Sequence, residues 1–252
     1  MKTLIIPDIH GRPFWKHAET MIGDIDKVVF LGDYHDPYAY EGITTDMSMR
    51  NLLEIEEFVE KNADKVVMLA GNHDLSYIDG MSVRADRLDY NNHDVISSVF
   101  KRLDDKISLA YALTDNGKTY LFTHAGVVPQ WAANYVPKNI IADAHAIAKE
   151  VNMWFAEKSH RDALRDVGTS RCGDCDYGSM VWADYSDIID SYLMISRGEK
   201  VPKPDYYQIF GHSQQYDIQN GRPIFRPSIA YDYACLDCHR PFLLENGEIK
   251  EI

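Results

Sequence analysis

Five short polar clusters, each following directly on an apolar, strand-like run, constrain this chain more than any other feature. They are Asp8-Ile9-His10 after Leu4-Ile5-Ile6, Gly32-Asp33-Tyr34-His35-Asp36 after Val28-Val29-Phe30-Leu31, and Gly71-Asn72-His73-Asp74 after Val66-Val67-Met68-Leu69. Thr123-His124-Ala125-Gly126 after Tyr120-Leu121-Phe122, and Gly211-His212-Ser213 after Tyr207-Gln208-Ile209-Phe210, complete the set. Apolar runs of this length bounded by polar clusters read as strands. Each cluster is therefore expected at the carboxyl end of a strand in one layered sheet, where residues remote in sequence converge.

Between the clusters the pattern switches from strand to helix. Met49, Leu52, Leu53, Glu56 and Val59 mark an amphipathic helix between the second and third strands, which implies βαβ alternation and a largely parallel inner sheet. Ile107-Ser108-Leu109-Ala110-Tyr111 and Thr119-Tyr120-Leu121-Phe122 flank Asp115-Asn116-Gly117, whose Asn and Gly suit a tight hairpin, so the second half of the sheet is expected to be antiparallel. From about Pro137 to Pro204 the chain reads as helical, with Ile140, Ala144, Ile147, Ala148, Val151 and Phe155 spaced for one buried face. This stretch is expected to be an insertion that caps the site. Extended runs at Pro223-Ile224-Phe225, Ser228-Ile229-Ala230-Tyr231, Cys235-Leu236-Asp237 and Phe242-Leu243-Leu244, the last closed by Asn246-Gly247, are expected to finish a second sheet facing the first. The whole reads as one α/β domain over residues 1–252, with a helical insertion at about 137–204.

A net charge of -13 argues against non-specific binding to nucleic acid or anionic lipid, which depends on Lys and Arg. An anionic substrate then needs local positive charge, and metal ions supply it. The apolar run at the amino terminus is too short for a signal peptide and no run reaches membrane-spanning length, so the sequence reads as that of a soluble cytoplasmic protein.

The clusters contain carboxylates, imidazoles and an amide. Two divalent ions acting together on a phosphoryl group need such a mixed oxygen and nitrogen ligand set with one shared carboxylate. In Asp8-Ile9-His10 the two polar residues stand two apart and share one face of a strand end, so one metal can take both. The five clusters, in this order, resemble the signature of the calcineurin-like metallophosphoesterases: DxH, GDxxD, GNH(D/E), H and GH. That resemblance implies a layered α-β-β-α sandwich of two mixed sheets flanked by helices, and hydrolysis of phosphate esters by a hydroxide held between two divalent ions, manganese, iron or zinc. It assigns Asp8 and His10 to the first metal, Asp33 to the bridge, and Asn72, His124 and His212 to the second. It leaves His73 as general acid, oriented by Asp36.

The spacing of the clusters looks most like the phosphoprotein phosphatase and diadenosine tetraphosphatase branch. Pro37 stands where phosphoprotein phosphatases have a phosphate-gripping arginine, and Gln214 where the nuclease and phosphodiesterase branches have a second histidine. Arg12 and Arg171 are the arginines expected to grip the phosphate instead. The expected partner is a phosphorylated small molecule, nucleotide or phosphoprotein. The alternatives to a phosphatase are hydrolysis of a nucleotide or dinucleoside polyphosphate, and a non-catalytic binding module on the same fold. Cys172/Cys175 and Cys235/Cys238 form two CxxC pairs that could hold a structural zinc, with unligated thiols as the other reading. His17, His35, His93, His145 and His160 read as surface or structurally bonded histidines, Tyr34 and Trp182 as packing residues, and Glu54, Glu56, Glu57 and Glu60 as a solvated helix face.

Overall fold

The apolar runs that precede the clusters all form strands. A computed structural model describes residues 1–78, 80–81, 85–217, 224, 226–227 (backbone only) and 232–252. Among them the strands are β1 (Lys2–Ile6), β2 (Lys27–Phe30), β3 (Val66–Leu69), β4 (Ile107–Ser108), β5 (Ala110–Asp115), β6 (Lys118–Thr123), β7 (Tyr207–Phe210), β8 (Arg226–Pro227), β9 (Tyr233–Cys235), β10 (Phe242–Glu245) and β11 (Glu248–Glu251). The helices are α1 (His17–Met21), α2 (Thr45–Lys61), α3 (Asn72–Leu75), α4 (His93–Arg102), α5 (Pro129–Tyr135), α6 (Ala144–Ala156), α7 (Arg161–Leu164) and α8 (Tyr185–Ser196). Of the extended runs expected late in the chain, Pro223, Phe225 and Ser228-Ile229-Ala230-Tyr231 lie outside the described residues.

The chain divides into two compact units, residues 1–108 with 239–252, and residues 109–238. The first holds a six-stranded sheet of order β11-β10-β1-β2-β3-β4. Its β1 to β4 are parallel, as the βαβ alternation predicts, and β10 adds antiparallel beside β1. The Phe242–Leu244 run thus completes the first sheet and not the second. Leu4, Ile5, Ile6, Val28, Val29 and Phe30 are all fully buried without alternation, the pattern of a parallel sheet. Helix α2 starts where Thr44 accepts the Met47 N–H at 3.2 Å, and it buries Leu52, Ile55, Phe58 and Val59 at helical spacing. Glu56 departs from the solvated face expected of it: it is buried, and Arg102 of α4 binds both carboxylate oxygens at 2.6 and 2.8 Å.

The second unit holds a five-stranded sheet of order β5-β6-β7-β9-β8. Only its outer pairs, β5/β6 and β8/β9, are antiparallel; β6/β7 and β7/β9 are parallel, so the sheet is mixed, as the family resemblance implies, where the hairpin pattern alone suggests an antiparallel one. Asn116 (φ 53°) and Gly117 (φ 75°) make the expected tight turn of the β5/β6 hairpin, and Asn246 (φ 53°) and Gly247 (φ 82°) repeat it between β10 and β11. The run Ile107–Tyr111 is cut at Leu109, because the Asn152 side chain of α6 takes the Leu109 and Ala110 N–H groups at 2.9 and 3.0 Å. The strands on either side of that cut therefore join different sheets. Residues 137–204 are mainly helical, and α6 buries Ala144, Ile147, Ala148, Val151 and Phe155 as their spacing predicts.

Three clusters follow strands of the first sheet and two follow strands of the second, a correction to the single sheet expected. All five lie at carboxyl ends.

Candidate metal centre

In the first unit the loop after β1 is tied to the loop after β2: the Ile9 and His10 N–H groups both donate to Asp33 O, at 3.1 and 2.7 Å. The loop after β3 approaches as closely. A Cβ on Gly32 would lie 2.5 Å from Gly71 N, and one on Gly71 would lie 2.1 Å from Asp33 Oδ1, so neither position admits a side chain. Asp74 fastens this junction, its carboxylate accepting the N–H groups of Asp33, Tyr34 and Gly71 at 2.6, 3.0 and 2.8 Å. His10, Asp33 and Asp36 all have left-handed backbones (φ 46°, 56° and 54°), strain of about 1–2 kcal/mol per residue that the surrounding bonds hold in place.

These loops concentrate acceptors. His10 Nδ1 lies 3.0 Å from His35 O and 3.1 Å from Asp36 O, and since carbonyls only accept, Nδ1 carries the proton and Nε2 presents a lone pair. That lone pair lies 3.3 Å from Asp33 Oδ2. Burial holds the His10 pKa below its ordinary value against the pull of Asp33, which keeps the imidazole in the neutral, ligating form. His10, Asp33 and His73 each offer a ligand atom within 4.8 Å of the other two. A buried carboxylate facing a neutral imidazole, oriented by backbone carbonyls on its other nitrogen, fits a divalent transition metal. Asp8 is buried at the end of β1 and Asn72 is buried as the first residue of α3.

His73 belongs to this cluster, yet both of its nitrogens are engaged. Nδ1 lies 2.7 Å from Asp36 Oδ2, and Nε2 lies 3.1 Å from Arg87 Nη2. Burial alone would lower its pKa, but the Asp33 and Asp36 carboxylates outweigh burial and raise it. Asp36 also accepts the Tyr77 hydroxyl on Oδ1, and Tyr77 stays a protonated donor because burial and Asp36 raise its pKa. Arg87 sits over the Tyr38 ring at 3.8 Å, and that ring meets His10 edge to face at 4.9 Å.

The first arginine expected to grip phosphate is otherwise committed. Arg12 is buried, with Nε and Nη2 each 2.8 Å from a Glu41 carboxylate oxygen and Nη1 3.2 Å from Asp8 O. The arginine beside His73 is Arg87 instead. Its sequence position carries no signal, because it lies beyond the GNHD cluster in a stretch without periodicity, and the same holds for Tyr77; Asp74 lies within the cluster, but its partners Asp33 and Tyr34 are about 40 residues away and are set by folding.

In the second unit His124 follows β6 and His212 follows β7, with His124 Nε2 3.0 Å from His212 Nδ1. His212 takes a left-handed backbone (φ 63°). Arg171 Nη2 donates to His212 O at 3.1 Å and Ser213 Oγ at 2.9 Å, and pairs with Asp184 Oδ2 at 3.2 Å. It therefore holds the His212 turn. Trp182 meets His212 edge to face at 5.8 Å.

A tetrahedral zinc site needs the four sulfurs of Cys172, Cys175, Cys235 and Cys238 together, and the fold does not gather them into a metal-ligand group among the described residues. Cys172 is exposed, and Cys175 is half-buried with Sγ 3.5 Å from Asp166 Oδ1. Cys235 and Cys238 are both buried at and just beyond the end of β9, with Cys235 Sγ 3.1 Å from Ser213 O. This arrangement does not support the zinc reading of Cys172, Cys175, Cys235 and Cys238: one pair lies near the surface and the other in the core.

His17 and His145 are exposed and His93 is half-buried, in line with the surface or structural roles expected of them. His35 is buried between Ser48 Oγ at 2.9 Å and Asp89 Oδ2 at 3.3 Å, and His160 stacks on Trp154 at 4.4 Å. Tyr34 is a packing residue whose hydroxyl donates to Leu69 O at 3.0 Å.

Two mixed sheets with carboxylates and imidazoles at their strand ends define an α/β protein suited to holding divalent cations. The family model of calcineurin-like phosphoesterases matches residues 1–216, and the chain belongs to that family. Among solved structures it is similar to a cold-active protein-tyrosine phosphatase of a psychrophilic Shewanella species, at 13% identity and a TM-score of 0.55, covering 99% of this chain and 77% of that one. It also matches a protein serine/threonine phosphatase from Saccharomyces cerevisiae (13% identity, TM-score 0.48, 100% and 79% covered) and an archaeal phosphodiesterase (12% identity, TM-score 0.39, 100% and 99% covered). Curated protein sequences yield no match. Among the described residues no helix is long and apolar enough to cross a membrane.

Proposed function

We propose that the chain is a phosphatase of the phosphoprotein phosphatase-like branch, a phosphoric-ester hydrolase that works with two divalent ions. The Asp36–His73–Arg87 array beside the His10–Asp33 pair carries this reading. Following the family signature, Asp8, His10, Asp33, Asn72, His124 and His212 would hold the ions, manganese, iron or zinc. When bound, such ions supply Lewis acidity toward a phosphoryl oxygen and make water acidic enough to ionise near neutral pH.

The chain's own residues supply the rest. Asp36 Oδ2 fixes the His73 ring through Nδ1, which leaves Nε2 to deliver a proton to the departing oxygen. Tyr77 holds Asp36 in turn. Arg87 rests on His73 Nε2 in this structure, and its planar fork suits two phosphoryl oxygens. Moving the guanidinium from Nε2 to an arriving phosphate frees that nitrogen to carry the proton. Arg87 thereby takes the place of the arginine absent at Pro37.

A second reading, hydrolysis of a nucleotide or dinucleoside polyphosphate, is favoured by Tyr40, which is 73% exposed and offers a stacking surface with its ring 5.3 Å from Tyr38, the ring that Arg87 covers. Turnover of a phosphopeptide, a dinucleoside polyphosphate and a cyclic nucleotide by the manganese-loaded protein separates the two. His73→Ala is expected to lose roughly 10²–10⁴-fold on an alkyl phosphate and far less on nitrophenyl phosphate, whose leaving group needs no proton. Equal losses on both would remove His73 as general acid, and no turnover of any phosphoester would remove the proposal.

A further inference from the structure

The second unit contains a cleft of about 520 Å³ that shares no residue with the signature clusters. It is lined by Tyr135 at the end of α5, by Lys158, Ser159 and His160 in the turn between α6 and α7, and by Arg161 and Arg165 on and just after α7, with Asp162 and Ala163. Three permanent cations thus face one carboxylate in a chain whose net charge is -13. That carboxylate, Asp162, lies 3.3 Å from Arg165 Nη1. The nearby acid Asp166 is occupied by Tyr135 OH at 2.6 Å and Trp131 Nε1 at 3.1 Å.

The turn is built to present these groups. Lys158 (φ 52°) and His160 (φ 55°) both adopt the left-handed backbone, a conformation costing about 1–2 kcal/mol for residues with a Cβ. His160 lies flat on Trp154 with rings 16° apart, and Lys158 Nζ lies 4.5 Å from the Phe155 ring, so both side chains are steadied by the end of α6. The volume falls within the usual range of about 300–1,000 Å³ for small-molecule sites. Two arginine forks and an ammonium in one cleft match an anion with several phosphoryl oxygens, since guanidinium binds them bidentately and ammonium as a point charge.

We propose that this cleft binds an oligophosphate, as a site separate from the phosphoesterase residues. Binding of inorganic tripolyphosphate to the full chain by isothermal titration calorimetry tests it, in the wild type, in Arg161→Ala/Arg165→Ala, in Lys158→Met and in Asp33→Asn. The expected result is at least a tenfold loss of affinity in the double arginine variant and a smaller loss in Lys158→Met. Asp33→Asn is expected to bind like the wild type, and hydrolysis of nitrophenyl phosphate is expected to stay unchanged in the double arginine variant. ATP as a parallel probe distinguishes sources: tighter binding than tripolyphosphate assigns the oligophosphate of a nucleotide, and equal binding assigns the inorganic chain. No binding by the wild type, undiminished binding by the double arginine variant, or loss of binding in Asp33→Asn would overturn the proposal. The Asp33→Asn arm separates it from any failure of the phosphatase reading.

Discussion

Gly71→Ala is expected to damage the site without any local backbone penalty. Gly71 has φ -89° and ψ 174°, a region open to alanine. The added Cβ would nevertheless lie 2.1 Å from Asp33 Oδ1 and 2.8 Å from both Asp33 Cγ and Asp33 N. Rotating Asp33 away breaks the bond its Oδ1 accepts from His73 N–H at 3.1 Å; keeping Asp33 in place forces the two loops apart. Overpacking of this kind costs about 1–3 kcal/mol and the lost bond about 1 kcal/mol more. At about 2–4 °C per kcal/mol for a chain of this size, the melting temperature should fall by roughly 4–16 °C. A displacement near 1 Å at the proposed bridging carboxylate should also cost on the order of 10²-fold in turnover. Thermal unfolding, metal content after manganese loading and hydrolysis of nitrophenyl phosphate measure the three effects. Gly23→Ala, where nothing lies within 4 Å of the new Cβ, is the control and should stay near wild type. If Gly71→Ala melts within about 1 °C of the wild type and turns over at full rate, the close approach of these loops does not position Asp33.

Arg87→Ala should lower kcat/KM by roughly 10–10²-fold, the worth of one charge-assisted phosphate contact, with Arg87→Lys between it and the wild type; steady-state kinetics that show no change would return the phosphate contact to another residue. Glu41→Gln should cost about 1.5–3 kcal/mol in denaturant unfolding, because it removes the charge that faces the buried Arg12 fork. Burial raises the Glu41 carboxyl, but the bonds from Arg12 outweigh it and hold the pKa below the ordinary 4.5. The pair's contribution is therefore full above that pH and fades as pH falls through the depressed value, so the wild type should lose its advantage over Glu41→Gln in acid. Cys235→Ser and Cys238→Ser should each leave the metal content of the loaded protein unchanged in elemental analysis, whereas a loss of one ion per chain in either would restore a zinc site.

The strands, the two Asn-Gly hairpins and the carboxyl-end placement of Asp8, Asp33, Asn72, His124 and His212 were legible in the amino-acid order, because each depends on a few consecutive residues: apolar runs extend, and Asn-Gly accepts positive φ. The α2 and α6 core faces were legible for the same reason, since helical spacing is itself a local property. Tertiary structure alone decided the rest. Nothing adjacent to Phe242 distinguishes pairing with β1 from pairing elsewhere, and only the Asn152 side chain, far along the chain, cuts the Ile107–Tyr111 run between two sheets. Arg12 looked available beside the first cluster until folding set Glu41 against it, and Glu56 looked solvated until Arg102 covered it. Two CxxC pairs have the ligand count for zinc in any order of the chain, but folding buried Cys235 and Cys238 and left Cys172 at the surface. Arg87 stands fourteen residues beyond His73 and meets it only in the folded chain. Backbone preferences act over a few neighbouring bonds and can be read in order, whereas partners for charged side chains are chosen by proximity in space, which exists only once the chain has folded.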